Sequence, residues 1–261
     1  MHTVDSIELL REQVRQWRKD NQTVAFVPTM GNLHQGHLSL VTRAKDLADK
    51  VIVSIFVNPL QFDDKADLSA YPRTLEVDIE KLTSSNCDLV FTPTSDIIYP
   101  NGMDEQTVIT VPGMDNKLCG QDRPGHFDGV ATVVAKLFNM VQADIAVFGE
   151  KDYQQLLLIK KLVDDLNLPI EIVGAETYRE ESGLAMSSRN QYLSSQQREQ
   201  AAEIYQSLLS VQDKIGQGED FKKIEQQAFE QLQALGFDPD YVDIRRADNL
   251  EPAEKGDQLL R

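Results

Sequence analysis

Between residues 23 and 174, short runs of apolar and β-branched residues alternate with stretches in which apolar residues recur at helical spacing. The short runs have the length and composition of buried strands, and the periodic stretches have the length of helices. Strands that alternate with helices form βαβ units, which assemble into a parallel sheet. The sequence therefore predicts an α/β fold with strands at 23–28, 50–57, 87–93, 143–149 and 169–174 and helices at 37–48, 74–85, 127–141 and 152–167.

The two ends of the chain differ from this central pattern. At the start, Asp5 and Glu8 have the spacing of a capping box before a helical stretch. After residue 176 the chain becomes polar and irregular, and helical stretches at 195–215 and 219–235 precede a predicted short strand, "DYVDIRRA". We expect two domains, with the parallel sheet in residues 1–176 and a smaller α+β domain in residues 177–261.

Charge and composition exclude several classes of protein. The chain has 42 acidic and 26 basic residues, a formal net charge of −16. Nucleic acid is a disfavoured partner, because phosphate backbones bind to basic surfaces. No apolar run reaches the ~20 residues of a membrane-spanning helix, and the polar N-terminus does not resemble a secretory signal. Cys87 and Cys119 form no metal-ligand pattern. We expect a cytoplasmic protein that has no membrane partner.

The segment "MGNLHQGH" (30–37) lies between a predicted strand and a predicted helix. A helix N-terminus presents free N–H groups and the positive end of the helix dipole, which favour phosphate. Gly31 and Gly36 allow the backbone to approach a ligand closely, and His34 and His37 add donors on one side of the helix start. A capped turn with two solvent-exposed histidines is the alternative explanation of the same residues.

Two further segments are expected at the same edge of the sheet, because ligands of parallel sheets bind beyond the carboxyl ends of the strands. "FGEKDYQQ" (148–155) places Lys151 and Asp152 before a helix, where a lysine can bind phosphate. "VNPLQF" (57–62) places Asn58 and Gln61 after a strand, where amides can bind a small polar substrate. A charged turn and a proline-containing turn are the alternatives that need no ligand.

Two more loops carry donor groups. "GLAMSSRN" (183–190) offers two serine hydroxyls and a guanidinium, which suit phosphate oxygens. "CGQDRPGHFDGV" (119–130) places Arg123 and His126 in a glycine-rich turn before a helix. A flexible polar loop and a capped loop remain the alternatives for these two segments.

In combination, the segments resemble known families. "MGNLHQGH" is similar to the HIGH-type signature of the nucleotidyltransferase superfamily, which class I aminoacyl-tRNA synthetases share, and "MSSRN" is similar to a divergent KMSKS-type loop. The ordered set "PTMGNLHQGHLSLV", "SIFVNPLQF", "YPRT", "RPGHFDGV", "FGEKDYQQL" and "GLAMSSRNQYL" closely resembles the pantothenate synthetase (pantoate–β-alanine ligase) family. The resemblance implies a Rossmann-like parallel sheet flanked by helices, and a homodimer.

The resemblance also implies a reaction in two steps. The carboxylate of pantoate attacks the α-phosphorus of ATP, which gives pantoyl adenylate and pyrophosphate. The amine of β-alanine then displaces AMP and forms pantothenate, a precursor of coenzyme A.

Site residues follow from the resemblance by position. Catalysis would depend on His34, His37, Lys151, Ser187, Ser188 and Arg189, with His37 as a proton donor. Pantoate and β-alanine would be bound by Gln61, Gln155, Asn58 and Arg123. The ATP site would be lined by Met30, Gly31, Asn32, Leu33, His34, Gln35, Gly36, His37, Gly149, Glu150, Lys151, Asp152, Tyr178, Met186, Ser187, Ser188 and Arg189. Ser182 and Tyr178 depart from the residues usual in the family.

The chemistry agrees with these roles. A carboxylate with a pKa near ~4 is ionised at neutral pH, so pantoate needs no general base. Positioning and stabilisation of charge on the departing pyrophosphate should then supply most of the rate. His34, His37, Lys151 and Arg189 would supply positive charge and donors, with Mg²⁺ on the phosphates. Because water would hydrolyse an acyl adenylate, we expect the C-terminal domain to act as a lid with a hinge near residue 176.

Three other functions remain open from the residues alone. A cytidylyl- or adenylyltransferase would share the histidine turn, but it would not require Gln61 and Gln155. A synthetase-like protein that acts on tRNA is disfavoured by the net charge of −16. A catalytically silent nucleotide-binding module is disfavoured by the presence of both histidines, Lys151 and Arg189.

Overall fold

The structure is a computed structural model that describes residues 1–62, 65–257 and 259–261. It divides into two compact units, Met1–Thr177 and Tyr178–Arg261. Among the described residues, no helix has both the length and the apolar character needed to cross a membrane.

The first unit contains a six-stranded sheet in which every described pairing is parallel. This arrangement confirms the predicted Rossmann-like α/β fold. The strand order across the sheet is β1-β4-β3-β2-β5-β6. The strands are β1 His2–Val4, β2 Val24–Thr29, β3 Lys50–Ile55, β4 Leu89–Phe91, β5 Ile145–Gly149 and β6 Glu171–Ala175.

Helices cover both faces of the sheet because its strands are apolar on both sides. The helices of the first unit are α1 Ile7–Lys19, α2 Gln35–Leu47, α3 Lys65–Ala70, α4 Leu75–Ser84, α5 Ser95–Ile98, α6 Cys119–Asp122, α7 His126–Val141 and α8 Tyr153–Asp165. Successive residues of β2 alternate between two apolar clusters: Val24 and Phe26 pack with α1, α7 and α8, whereas Ala25 and Val27 pack with α2 and α4.

Strand β2 lies at the point where the direction of the topology reverses. The chain runs from β2 to β3 and β4 on one side, and it then returns to the other side of β2 to form β5 and β6. Ala25 and Phe26 pair with Ile145 and Ala146. In open parallel sheets, ligands bind beyond the carboxyl ends of the strands at such a switch point. The turns after β2 and β5 are therefore expected to lie at the ligand-binding edge.

The second unit is helical, with α9 Ser195–Ala201, α10 Glu203–Gly216 and α11 Phe221–Ala234. The predicted strand at 240–247 is wrong. Among the described residues no strand spans it, but Arg245 and Arg246 form isolated antiparallel bridges to Pro252 and Leu260, and the backbones of Arg245 and Ala247 hydrogen-bond to those of Arg261 and Leu259. The chain turns immediately afterwards, and Leu250 has a left-handed backbone with φ of 59°, so the described pairing is confined to the end of the predicted strand.

The N-terminus also differs from the prediction. The N-cap of α1 is Ser6, whose hydroxyl accepts the N–H of Leu9 at 3.3 Å, so the predicted capping box of Asp5 and Glu8 is wrong. Strand β1 was not predicted, because three residues are too short for a periodic signal. It pairs with β4 at residues 89–91.

Candidate active site

The two histidines after β2 form the start of α2. His34 is the N-cap, and its Nδ1 accepts the N–H of Gly36 at 3.1 Å. The Nδ1 of His37 accepts the N–H of His34 at 3.3 Å. Because Nδ1 is an acceptor in both neutral rings, each ring carries its proton on Nε2. The ring centroids are 4.0 Å apart. The sequence therefore places two Nε2–H donors side by side at a helix N-terminus.

Both rings are neutral at pH 7. Burial lowers the pKa of His37 to about 3, and the neighbouring His34, Lys151 and Lys81 add smaller effects in the same direction. Burial, with Lys151 and Lys81, also lowers the pKa of His34. The lowered pKa values favour neutral rings that present hydrogen-bond donors, whereas Lys151 supplies the positive charge.

Lys151 provides a charge at the same edge of the sheet. It lies in a 3₁₀ turn, Glu150–Asp152, that directly follows β5. Its Nζ is 3.2 Å from Oδ1 of Asp152, and its side chain is 40% exposed. Strand β5 pairs with β2, and the charge of Lys151 lowers the pKa of both histidines, so the turns after β2 and β5 lie close together. A partly exposed ammonium next to two neutral donors can bind an anion that carries more than one charge.

Some backbone groups of the predicted ATP site are hydrogen-bonded to side chains of helix α4. The N–H groups of Asn32 and Leu33 donate to the carboxylate of Asp78 on α4, each at 2.8 Å. The carbonyl of Leu33 accepts from Nζ of Lys81 at 2.6 Å, and the Leu33 side chain is buried. Sequence reasoning missed Asp78 and Lys81. The sequence does contain one indication of a buried carboxylate, because Asp78 lies on the same helix face as the apolar Leu82.

The segment after β3 packs against the first turns of α7. Asn58 is 1% exposed. Its Nδ2 donates to the carbonyl of Gly129 at 3.2 Å, and its Oδ1 accepts from the hydroxyl of Tyr99 at 2.7 Å. The Asn58 amide thus holds the protein chain in place, rather than lying open to a substrate.

Arg123 and His126 contact the backbone of Gln61. The carbonyl of Gln61 accepts from Nη2 of Arg123 at 3.1 Å, and it lies 2.9 Å from Nδ1 of His126. Nη1 of Arg123 lies 3.2 Å from Nε2 of His126. Because a guanidinium can only donate, Nε2 of His126 accepts and its Nδ1 carries the proton that bonds Gln61. The "RPGH" segment therefore fixes the position of Gln61.

Two glutamine side chains differ from these anchored groups. The side-chain amides of Gln61 and Gln155 have no hydrogen-bond partner within the described ranges of the chain. The adjacent Gln154 is buried and donates to the carbonyls of Met114 and Lys117 at 3.0 and 2.8 Å. Gln61 follows β3 and Gln155 follows β5, which are the two neighbours of β2.

The predicted phosphate loop belongs to the second unit. The N–H of Met186 donates to the carbonyl of Tyr178 at 3.0 Å. Ser187 caps the 3₁₀ segment Ser188–Tyr192, since its hydroxyl accepts the N–H of Arg189 at 3.2 Å. Asn190 and the bidentate Arg198 both bind the carboxylate of Glu180. Hydrogen bonds from Arg198 lower the pKa of Glu180. The loop is thereby attached to its own unit, and the side chains of Tyr178 and Arg189 are exposed.

The described residues include no group of three or more His, Cys, Asp or Glu side chains that could hold a metal ion.

Comparison with known proteins agrees with the fold and with the order of the motifs. The family model described as Pantoate-beta-alanine ligase matches residues 2–260. Pantothenate synthetases from Shewanella loihica and Shewanella halifaxensis are 55% and 57% identical over 260 residues, which is 100% of this chain and 92% of each relative.

Solved structures are also similar. The crystal structure of pantothenate synthetase from Thermus thermophilus has 44% identity and a TM-score of 0.91, over 98% of this chain and 91% of that chain. The pantoate-beta-alanine ligase from Francisella tularensis, crystallised with beta-gamma ATP and β-alanine, has 39% identity and a TM-score of 0.79, over 90% and 86% of the two chains. The resemblance predicted from six short segments is thus confirmed over almost the whole chain, which belongs to the pantoate–β-alanine ligase family.

Proposed function

We propose that the protein condenses (R)-pantoate with β-alanine to pantothenate, with conversion of ATP to AMP and pyrophosphate, through a pantoyl-adenylate intermediate. Membership of the family supports the two substrates, and the relative crystallised with beta-gamma ATP and β-alanine supports ATP as the third. The product would enter coenzyme A biosynthesis.

The observation that carries the proposal is the arrangement at the start of α2. Two neutral histidines present Nε2–H groups beside Lys151, at the carboxyl ends of two neighbouring strands. The α- and β-phosphates of ATP bind there, and the charge that develops on them during attack is stabilised by donors already in place. Pantoate attacks as its carboxylate, the bond from the α-phosphorus to the bridging oxygen breaks, and pyrophosphate leaves.

Mg²⁺ enters this scheme as a partner of ATP. Its preferred ligands are oxygen atoms, and it retains several waters when it is bound through phosphates. Glu150 and Asp152 lie in the same turn as Lys151, and their carboxylates would be available to bind its water shell. The ion lowers the charge on the triphosphate that the attacking carboxylate approaches.

Pantoate is positioned by the amides of Gln61 and Gln155. An amide both donates and accepts, which suits a hydroxy acid. In the second step the amine of β-alanine loses a proton, attacks the acyl carbon and displaces AMP. Asn58, Arg123 and His126 act indirectly here, because they hold the backbone around Gln61.

The second unit contributes donors to the triphosphate in this proposal. Ser187, Ser188 and Arg189 carry hydroxyl and guanidinium groups suited to phosphate oxygens, and Tyr178 and Met186 line the adenine. This unit acts as a lid that limits hydrolysis of the adenylate.

Isotope transfer tests the reaction directly. Pantoate labelled with ¹⁸O in its carboxylate is incubated with ATP, Mg²⁺ and β-alanine, and the nucleotide product is analysed by mass spectrometry. We expect AMP that carries one labelled oxygen, and no ADP. Formation of ADP, unlabelled AMP, or AMP without any need for pantoate would refute the adenylate route.

The assembly and location of the protein are part of the proposal. On family resemblance we assign a cytoplasmic homodimer. Light scattering on the purified protein then gives a mass twice the 29.4 kDa of one chain, whereas a mass of one chain across micromolar concentrations contradicts the dimer.

A further inference from the structure

A buried carboxylate on α4 binds the turn that carries the histidines. Asp78 is 0% exposed. Its Oδ2 accepts the N–H of Asn32 and its Oδ1 accepts the N–H of Leu33, both at 2.8 Å. The hydroxyl of Thr74 donates to Oδ2 at 3.2 Å. A carboxylate is tolerated in such a place only when donors replace its lost water.

The backbone of the turn explains why a carboxylate fits. Gly31 and Asn32 have φ of 79° and 48°, both in the left-handed region. Successive residues in such turns direct their N–H groups to one side and form a nest that binds anions. Asp78 fills this nest. A Cβ atom on Gly31 would lie only 3.2 Å from Oδ2 of Asp78, so the close approach depends on glycine.

Lys81, one turn further along α4, holds the next group of the chain. Its Nζ donates to the carbonyl of Leu33 at 2.6 Å. Both backbone polar groups of Leu33 are therefore bound by α4, and its side chain is buried in the cluster formed with α2. Leu33 directly precedes His34, the N-cap of α2. Residues of α4 thus determine where α2 begins.

We propose that Asp78 is a positioning residue of the active site, which fixes the direction of the Nε2–H donors of His34 and His37 by holding the turn before them. Lys81 assists through the Leu33 carbonyl. This inference rests on the proposed function, because it assumes that the two imidazoles bind the reacting phosphates. Asp78 itself is enclosed by protein, so its proposed effect is indirect.

The geometry predicts how far the rate should fall when Asp78 is replaced. A donor displaced by about 1 Å from a transition state lowers the rate by roughly 10- to 100-fold. Asp78→Asn replaces one acceptor oxygen with an NH₂ group, which then faces a backbone N–H. We expect the turn to shift, and kcat for pantoate-dependent release of pyrophosphate to fall by about 10-fold or more. KM for pantoate should change less than kcat, since Gln61 and Gln155 lie on other segments.

The matched control is Glu80→Gln on the same helix. It removes one negative charge from an exposed side chain two residues away, and it should leave kcat unchanged. Should Asp78→Asn fail to fold, Lys81→Met removes the other link to Leu33 while keeping the length of the side chain. We expect a smaller loss of kcat in that variant. Wild-type kcat in a folded Asp78→Asn or, where that variant does not fold, in Lys81→Met would overturn the proposal.

A double-mutant cycle separates positioning from general destabilisation. If Asp78 acts through the histidine pair, Asp78→Asn should cause little further loss of kcat in a His37→Asn background. Multiplicative losses would mean that Asp78 acts by another route. The wild-type assay keeps the two proposals distinct. If the wild type forms no AMP that depends on pantoate, the proposed function is contradicted. If the wild type is active and the losses of kcat in the two single variants multiply in the double variant, only the role of Asp78 is contradicted.

Discussion

At the scale of single residues, the histidine pair is a set of neutral donors whose direction is fixed by the backbone. Each Nδ1 accepts an N–H of the helix start, so each Nε2–H is directed elsewhere. With its pKa lowered to about 3, His37 is neutral at pH 7 and can donate a hydrogen bond through Nε2. The family resemblance implies a proton donor at His37, and the lowered pKa favours a neutral hydrogen-bond donor there over an imidazolium.

Substitution of His37 by asparagine tests this role. The Oδ1 of Asn occupies the place of Nδ1 and can still accept the N–H of His34, whereas the Nε2–H donor is lost. We expect His37→Asn to remain folded and to lower kcat for adenylate formation by ~10²-fold or more, the scale of one lost transition-state donor. The exposed His2 on β1 provides the control, and His2→Asn should have wild-type kinetics. Near-normal turnover by a folded His37→Asn would exclude His37 from the site.

At the scale of elements, the contact between the segment after β3 and helix α7 leaves no room for a side chain. A Cβ atom on Gly129 would lie 2.3 Å from the carbonyl oxygen of Leu60, well inside any van der Waals distance. The Asn58 amide bonds the Gly129 carbonyl at the same place. The position of Gln61 therefore depends on a helical glycine far away in the sequence.

Gly129→Ala should accordingly displace the segment that carries Gln61. We expect KM for pantoate to rise by roughly tenfold, from misplacement of a binding group, while KM for ATP changes little. Gly216→Ala is the matched control, because Gly216 is also helical and a Cβ there meets nothing within 4 Å. That variant should be neutral or more stable by up to about 1 kcal/mol. Equal KM values for pantoate in both variants would contradict the role of this contact.

The elements that the sequence predicted well are those with strong local patterns. Strands β2, β3 and β5 are β-branched or apolar runs, and their ends lie within two residues of the prediction. The turns that follow β2 and β5 were found because glycine, histidine and lysine stand at strand ends. Asp78 could not be found in this way, since its partners Asn32 and Leu33 are 46 and 45 positions away. The roles of Asn58 and Arg123 were also hidden, because only the packing of α7 shows that they bind backbone.

At the scale of the whole molecule, stability should depend on pH through the buried histidine. The unfolded chain takes up a proton at His37 near pH 6.5, whereas the folded protein resists protonation down to a pH of about 3. The unfolded state therefore binds more protons between these values. As the pH falls through this range, the free energy of unfolding decreases and the folded protein becomes less stable. His34, Lys151 and Lys81 face this ring and act in the same direction.

A comparison of the wild type with His37→Asn isolates this effect from the general titration of a protein with a net charge of −16. From pH 7.5 to 5.5, the free energy of unfolding of the wild type should fall relative to that of the variant, by on the order of 1 kcal/mol. Urea unfolding at the two pH values measures the difference. A constant difference between the two proteins would show that His37 titrates normally in the folded state.

The pairing of β2 with β5 has a consequence for how the protein is made. Ala25 and Ile145 are neighbours in the sheet, although more than a hundred residues of chain separate them, so closing this loop is entropically costly and slow. During synthesis, the chain must emerge from the ribosome as far as Gly149 before β5 can pair with β2 and complete the ligand-binding edge of the sheet. Fragments that end earlier would leave one side of β2 unpaired, and an exposed apolar strand edge promotes aggregation.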